Sequence, residues 1–274
     1  MKRKDHESSS IPPRTPVLAE IRFAERRDEF DGLDLAERFG LIWRSNLWGA
    51  LDSNSGLGSE LEATATLRRE LAALLKRLEI TSLLDLPCGD FGWMARMDLG
   101  GVAYTGADIV PAIIGANSAH YQTAAIRFQT IDLVADPLPR VDLVLCRDCL
   151  VHLSFDNIRR AIANLKRSAS RWLLTTTFPD ADDNRDIDDG DWRVLNCNAR
   201  RLGFPHPPRS SMKAARKLRT TTPTNRLAFG GSTICRRAGD RLVSCRAQCM
   251  TPMAHARVLS AKAFWHKGRP ILLQ

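Results

Sequence analysis

Between residues 80 and 178 the hydrophobic positions fall into short runs separated by helical stripes. Ile80 to Leu86, Val102 to Ile109, Ile126 to Leu133, Val141 to Cys146 and Trp172 to Phe178 are short and apolar, the signature of buried strands. Pro111 to Tyr121 reads as a helix with proline in its first turn. Trp93 to Leu99 reads as a short helix, and Ser154 caps another whose inward stripe is Ile158, Ala161, Ile162 and Leu165. Upstream, Ser59-Glu60-Leu61-Glu62 matches a capping box, and leucines at 61, 67, 71, 74, 75 and 78 carry the helix on to Glu79. Strands alternating with helices at this spacing need right-handed crossovers. The expected fold is α/β, a doubly wound and mostly parallel sheet covered on both faces.

The flanks read differently. Residues 1–16 are polar with three prolines, which predicts disorder, and residues 17–39 carry enough apolar positions for short helices packed on the domain. The predicted division is a disordered or loosely packed extension over 1–37, a main domain over 38–208, and a basic, irregular tail over 209–274. In Leu41 to Ser59, Trp43 and Trp48 flank polar residues, and Gly56 and Gly58 loosen the backbone. That segment is either a lid over a ligand or a staple fixing the extension to the core.

Charge sharpens this division. The net charge is +9, yet residues 206–274 hold 14 Lys or Arg against one acid, Asp240, and the other 205 residues carry a net −4. The basic character belongs to the tail, so contact with nucleic acid or another anionic partner is open only to that part. No apolar run reaches the length of a membrane span and the amino-terminus lacks a secretory pattern, which predicts a cytoplasmic protein. Seven cysteines, odd in number and unevenly spaced, argue against a disulfide framework. Cys146 and Cys149 form a C-x-x-C without a second pair at ligand spacing, and Cys235, Cys245, Cys249 and His255 are irregularly spaced, so no metal site is expected.

The candidate chemistry lies at the strand ends. The first three strands end in acids, Asp85, Asp108 and Asp132, where an open parallel sheet binds its ligands. A nucleoside laid across adjacent strand tips needs such acceptors for its ribose hydroxyls and amino group. The first loop, Ser82 to Gly92, has Pro87 where a dinucleotide fingerprint has its first glycine, and Asp85 and Asp90 add negative charge. A pyrophosphate avoids such a loop, whereas the cationic S-adenosylmethionine suits it, so a nicotinamide-dependent oxidoreductase is the lesser reading.

LLDLPCGDFGWM, YTGADIV, DLVLCRDCLVHLS and LLTTTF, with the run from Asn184 to Asn196 and the upstream RSNLWG and SGLGSE, resemble a bacterial group of class I S-adenosylmethionine-dependent methyltransferases. The likeness spans residues 38–208. It implies Asp85, Cys88 and Gly89 around the methionine part of the donor, Asp108 and Ile109 at the ribose, Asp132 and Leu133 at the adenine, and Cys146 and Arg147 flanking the sulfonium. Pro87 and Phe91 stand where two glycines are usual in this group. Some relatives are labelled rhizobial nodulation proteins, which points to a carbohydrate or other small-molecule acceptor methylated on oxygen or nitrogen.

His152, on the loop after the fourth strand, is the candidate general base, with Asp148 second; His152 could equally cap or underlie the following helix. The acidic run Asp180 to Asp191 is either a solvated loop or a substrate-side loop with Trp192 and Arg193 reaching inward. The resemblance also implies a sixth strand and an antiparallel seventh, for which the text after Arg209 shows no pattern. That tail is either an addition for anionic partners or a shifted reading frame, and the second fits its composition better. A catalytically degenerate binding protein is the remaining alternative.

Overall fold

The computed structural model describes residues 16–179, 181 and 184–197, and the backbone of three strands at 257–261, 263–266 and 269–272. Strands β1 (Ser82–Asp85), β2 (Ala103–Asp108), β3 (Ile126–Thr130), β4 (Leu143–Cys146) and β5 (Trp172–Thr176) are all parallel, in the order β3-β2-β1-β4-β5. The chain starts mid-sheet, winds outward to β3, then returns to the other side of β1. This reversal opens a crevice at the carboxyl ends of β1 and β4. The strands are shorter than their hydrophobic runs because the runs continue past the tips: Leu86, Ile131 and Leu133 are buried in the loops beyond.

Among the described residues, five α-helices accompany them: α1 (Leu18–Glu25), α2 (Leu35–Arg44), α3 (Ala65–Arg77), α4 (Pro111–Tyr121) and α5 (Phe155–Arg167). Alternation along the strands feeds two cores. Leu83, Leu143, Leu145 and Leu174 pack with the leucines of α3 and with Ile114 of α4. Leu84, Val144 and Leu173 point the other way, onto Ile158, Ala161, Ile162 and Leu165 of α5. A parallel sheet buried on both faces has no polar side, which is why its strands read as continuous apolar runs. Ser154 caps α5 as expected, its Oγ accepting from Asn157 N at 3.3 Å.

Two helix starts differ from the sequence reading. The box at Ser59 does not form: Ser59 lies in a 3-10 turn, its hydroxyl donates to Ser55 O at 3.4 Å, and α3 begins only at Ala65. A box does form at α2, where Asp34 Oδ1 accepts from Glu37 N at 2.8 Å and Glu37 Oε2 accepts from Asp34 N at 2.9 Å. Residues 17–37 are not loose. Phe23 and Phe30 stack at 4.7 Å and, with Ile42 and Leu47, form a third buried cluster.

A sixth strand, β6 (Arg257–Ala261), lies parallel beside β5, pairing Trp172 with Arg257 through Thr176 with Ala261. Strands β7 (Ala263–His266) and β8 (Arg269–Leu272) pair antiparallel with each other, apart from that sheet. The tail, read as irregular from residue 209, is regular in these three strands. Its other residues, Cys235, Cys245, Cys249 and His255 among them, lie outside the described residues. Among the described residues no helix is long and apolar enough to cross a membrane.

Candidate functional site

A cavity of about 950 Å³, open solvent at its mouth included, fills the crevice. One wall is made by the strand tips and their loops, the other by α2 and the segment 46–59 that follows it. Asp85, Cys88, Gly89, Asp108, Ile109, Asp132, Leu133, Arg147, Asp148 and His152 all line it. Cys146 does not, and this corrects the sequence expectation. It is the last residue of β4, wholly buried in the α5-side core; its successors Arg147, Asp148 and Cys149 reach the cavity instead.

Each acid at a strand tip is held differently. Asp85 is buried, and its Oδ2 accepts from the Tyr104 hydroxyl at 2.7 Å. Burial pushes its carboxyl up to about 7, against the pull of the Tyr104 hydroxyl and the Arg147 charge. Asp108 accepts from Gly89 N at 3.2 Å and Val110 N at 3.0 Å, and burial raises it to about 6 while these backbone donors hold it down. Those bonds leave lone pairs on both oxygens for further donors. Asp132 closes a turn, accepting from Val134 N at 2.7 Å, and its own N–H is taken by Asp136 Oδ2 at 2.7 Å.

The first loop keeps its shape without the usual glycines. Phe91 adopts the left-handed φ of +59°, a conformation costly for a bulky residue. Its ring is held at 5.1 Å from each of Tyr104, Tyr121 and Phe128, so packing offsets the strain. Gly89 is the position where glycine is needed: φ is +54° and a Cβ would collide with Ser55 Oγ. Ser55 Oγ accepts from Asp90 N at 3.0 Å, and Asn117 Nδ2 donates to Gly89 O at 2.8 Å. The 46–59 segment therefore rests directly on the first loop.

It is also tied to the fourth strand tip. Arg147 donates to Gly58 O at 2.7 Å, pairs with Asp148 Oδ2 at 2.8 Å, and sits 5.7 Å over the Trp93 ring. Asp148 Oδ1 accepts from Thr176 Oγ1 at 2.8 Å, so both its oxygens are engaged and it is a poor candidate for a base. His152 is buried, stacked on Trp48 with ring centroids 4.5 Å apart, its Nδ1 2.8 Å from Asp191 O. Burial pushes the imidazole down to about 4, so it is neutral near pH 7. Trp48 also packs against the Phe23 and Phe30 cluster, which makes it both staple and cavity wall.

The acidic run has a structural task. Asp189 Oδ1 accepts from Ser154 N at 2.7 Å and Oδ2 from Asn157 Nδ2 at 2.9 Å, while Asp186 Oδ1 accepts from Phe155 N at 2.7 Å. These carboxylates satisfy the amino-terminus of α5. Trp192 packs on Phe178 at 5.9 Å, and Arg193 is wholly buried with its guanidinium 5.4 Å over Phe155 and Nη1 donating to Val151 O at 3.2 Å. Neither residue reaches the cavity. Asp180, Asp182 and Asp183 lie outside the described residues.

Of the wall opposite the strand tips, the sequence offered Trp43 and Trp48 as a lid or a staple, but not Leu35 and Phe39. Leu35, Phe39 and Trp43 line the cavity from one face of α2, at i, i+4 and i+8. The Asp34 and Glu37 box announced that helix and could have exposed the stripe. Trp43 and Trp48 line this wall, and their indole N–H groups are buried without a partner among the described residues.

No family model and no curated protein matches the chain. Among solved structures it is similar to magnesium protoporphyrin IX methyltransferase from Synechocystis PCC 6803 with bound SAH, at 18% identity over 74% of this chain and 80% of that one, TM-score 0.40. The N-methyltransferase NodS from Bradyrhizobium japonicum WM9 is similar at 21% identity over 38% of this chain and 62% of NodS, TM-score 0.30. These structural neighbours are methyltransferases, but the superpositions are partial, and the doubly wound fold of this chain is defined by its own strand order.

Proposed function

We propose that the chain is a methyltransferase that binds S-adenosylmethionine across the tips of β1, β2 and β3 and methylates an oxygen or nitrogen of a small-molecule or carbohydrate acceptor. The observation that carries this reading is the charge of the crevice: Asp85, Asp108 and Asp132 line it, and the lining cation Arg147 is already paired with Asp148. A pyrophosphate would meet net repulsion there, whereas a ligand bearing ammonium and sulfonium groups is attracted.

The residues fit the donor. Asp108, with backbone donors on both oxygens and lone pairs left over, would accept from ribose hydroxyls. Asp85, poised near neutrality in a buried site, would ionise fully beside an ammonium group.

When bound, S-adenosylmethionine supplies an electrophilic methyl group whose bond to sulfur breaks with the electron pair remaining on sulfur. His152, neutral and lining the cavity, would take the proton of the acceptor's hydroxyl or amine. The walls of α2 and the 46–59 segment would exclude water and hold the acceptor in line, which can supply much of the rate.

The test is transfer itself. The full chain is incubated with methyl-labelled S-adenosylmethionine and a panel of hydroxylated, amino and sugar compounds, and release of S-adenosylhomocysteine is followed. Label appearing in a small acceptor, and lost in His152→Gln, is the expected result. S-adenosylhomocysteine release no faster than without protein across the panel contradicts the reading and favours a binding protein.

A further inference from the structure

We propose that Trp48 is a positioning residue, clamping His152 as a neutral imidazole of fixed tautomer whose Nε2 lone pair is left for the acceptor's proton. The proposal rests on the methyltransferase reading and says how that site's proton acceptor is held. The two rings lie 4.5 Å apart at 27°, and a Cβ on Gly56 would come within 3.4 to 3.5 Å of the Trp48 side chain. The indole thus has the imidazole against one side and no spare room for a side chain at Gly56.

The ring's other restraints come from the segment after β5. The Asp191 carbonyl, 2.8 Å from Nδ1, can only accept, so Nδ1 carries the proton and Nε2 the lone pair. Gly190 N donates to His152 O at 2.8 Å and Arg193 N to Val151 O at 3.2 Å, fixing the backbone on that side. The described charged groups around the imidazole are Asp148 on its own loop, which favours protonation, and Arg193 and the Asp191 carboxyl after β5. Arg193 opposes protonation, and the Asp191 carboxyl is turned to Trp192 N at 2.7 Å. Trp48 adds no charge. Its part is to keep water off one ring face and to stop the imidazole from turning.

A neutral imidazole of one tautomer can accept from an O–H or N–H but offers nothing to a phosphate or carboxylate at Nε2. The site therefore selects acceptors that present a hydroxyl or an amine there.

The measurement is side-chain ¹⁵N–¹H correlation of the histidines in the full chain with S-adenosylhomocysteine bound, across pH, with His152 identified by its loss in His152→Gln. In the wild type and in Trp48→Phe, His152 should show the Nδ1–H tautomer and stay neutral down to about pH 5. In Trp48→Ala it should show mixed tautomers and titrate near the ordinary value of about 6.5. Affinity for S-adenosylhomocysteine should change less than about threefold. If Trp48→Ala loses its melting transition, Trp48→Leu is read in its place against the same outcomes. An unchanged tautomer and titration in the ringless variant overturns the proposal, as does a loss of S-adenosylhomocysteine affinity of about tenfold or more in both Trp48→Phe and the ringless variant, which would make Trp48 a donor ligand. Failure of the wild type to bind S-adenosylhomocysteine overturns the methyltransferase reading instead, and the histidine signals of the unliganded chain still decide the role of Trp48.

Discussion

At the scale of single residues, the crevice holds two acids, Asp85 and Asp108, whose carboxyls burial raises, and a histidine that burial holds uncharged. Asp108→Ala should weaken S-adenosylmethionine binding about ten- to a hundredfold, because a charge-assisted bond to a ribose hydroxyl contributes roughly 1.5–3 kcal/mol. Equal affinity in calorimetry would remove Asp108 from the site. The raised carboxyls also fix a pH dependence. Asp85 and Asp108 titrate at about 7 and about 6 when folded, above their value in the unfolded chain, so their stabilising contribution is present at low pH and is lost as pH rises through that window. The cationic donor prefers the ionised forms. Its affinity should therefore rise with pH up to about 7 and level off above it, while the unliganded protein loses stability between about pH 4 and 7 and no further, and Asp85→Asn should flatten both slopes. Affinity that falls over that range would reverse the assignment.

At the scale of elements, legibility followed the pattern of burial. The strands and α4 stood out because a sheet buried on both faces writes continuous apolar runs, and Pro111 marks a helix start. The acids at the strand tips could be read because strand ends were readable. The Ser59 box misled: its motif is present, but the Ser59 hydroxyl turns back to Ser55 O and Gly56 turns the chain at φ +95°. Cys146 misled for a related reason, since one residue of register decides whether a side chain at a strand tip faces core or cavity. The task of Asp186 and Asp189 was hidden because capping α5 from about 30 residues downstream is a tertiary fact with no local signal. Asp189→Ala should cost about 1 kcal/mol in urea unfolding, the ordinary value of a lost cap, and an unchanged midpoint would show that water replaces it. Gly89→Ala should weaken donor binding by at least about tenfold, because the new Cβ displaces Ser55 and lifts the 46–59 segment off the first loop.

At the scale of the whole molecule, the acids at the strand tips and the wall of tryptophans come from separate stretches of the chain, joined by Gly58 to Arg147, Ser55 to the first loop and Trp48 to His152. The sixth strand changes what the tail is expected to do. With β6 beside β5, a chain ending at residue 208 should be less stable than the full chain, because β5 loses a parallel neighbour and exposes its edge. Equal urea midpoints would mean that β6 contributes nothing in solution. The central claim is that the crevice suits a cationic nucleoside and repels a pyrophosphate. Isothermal calorimetry of the full chain with S-adenosylmethionine, S-adenosylhomocysteine and NADH tests it most directly. The account predicts one site for each of the first two, weakened in Asp108→Ala, and no heat from NADH; saturable NADH binding with none for S-adenosylmethionine would contradict it.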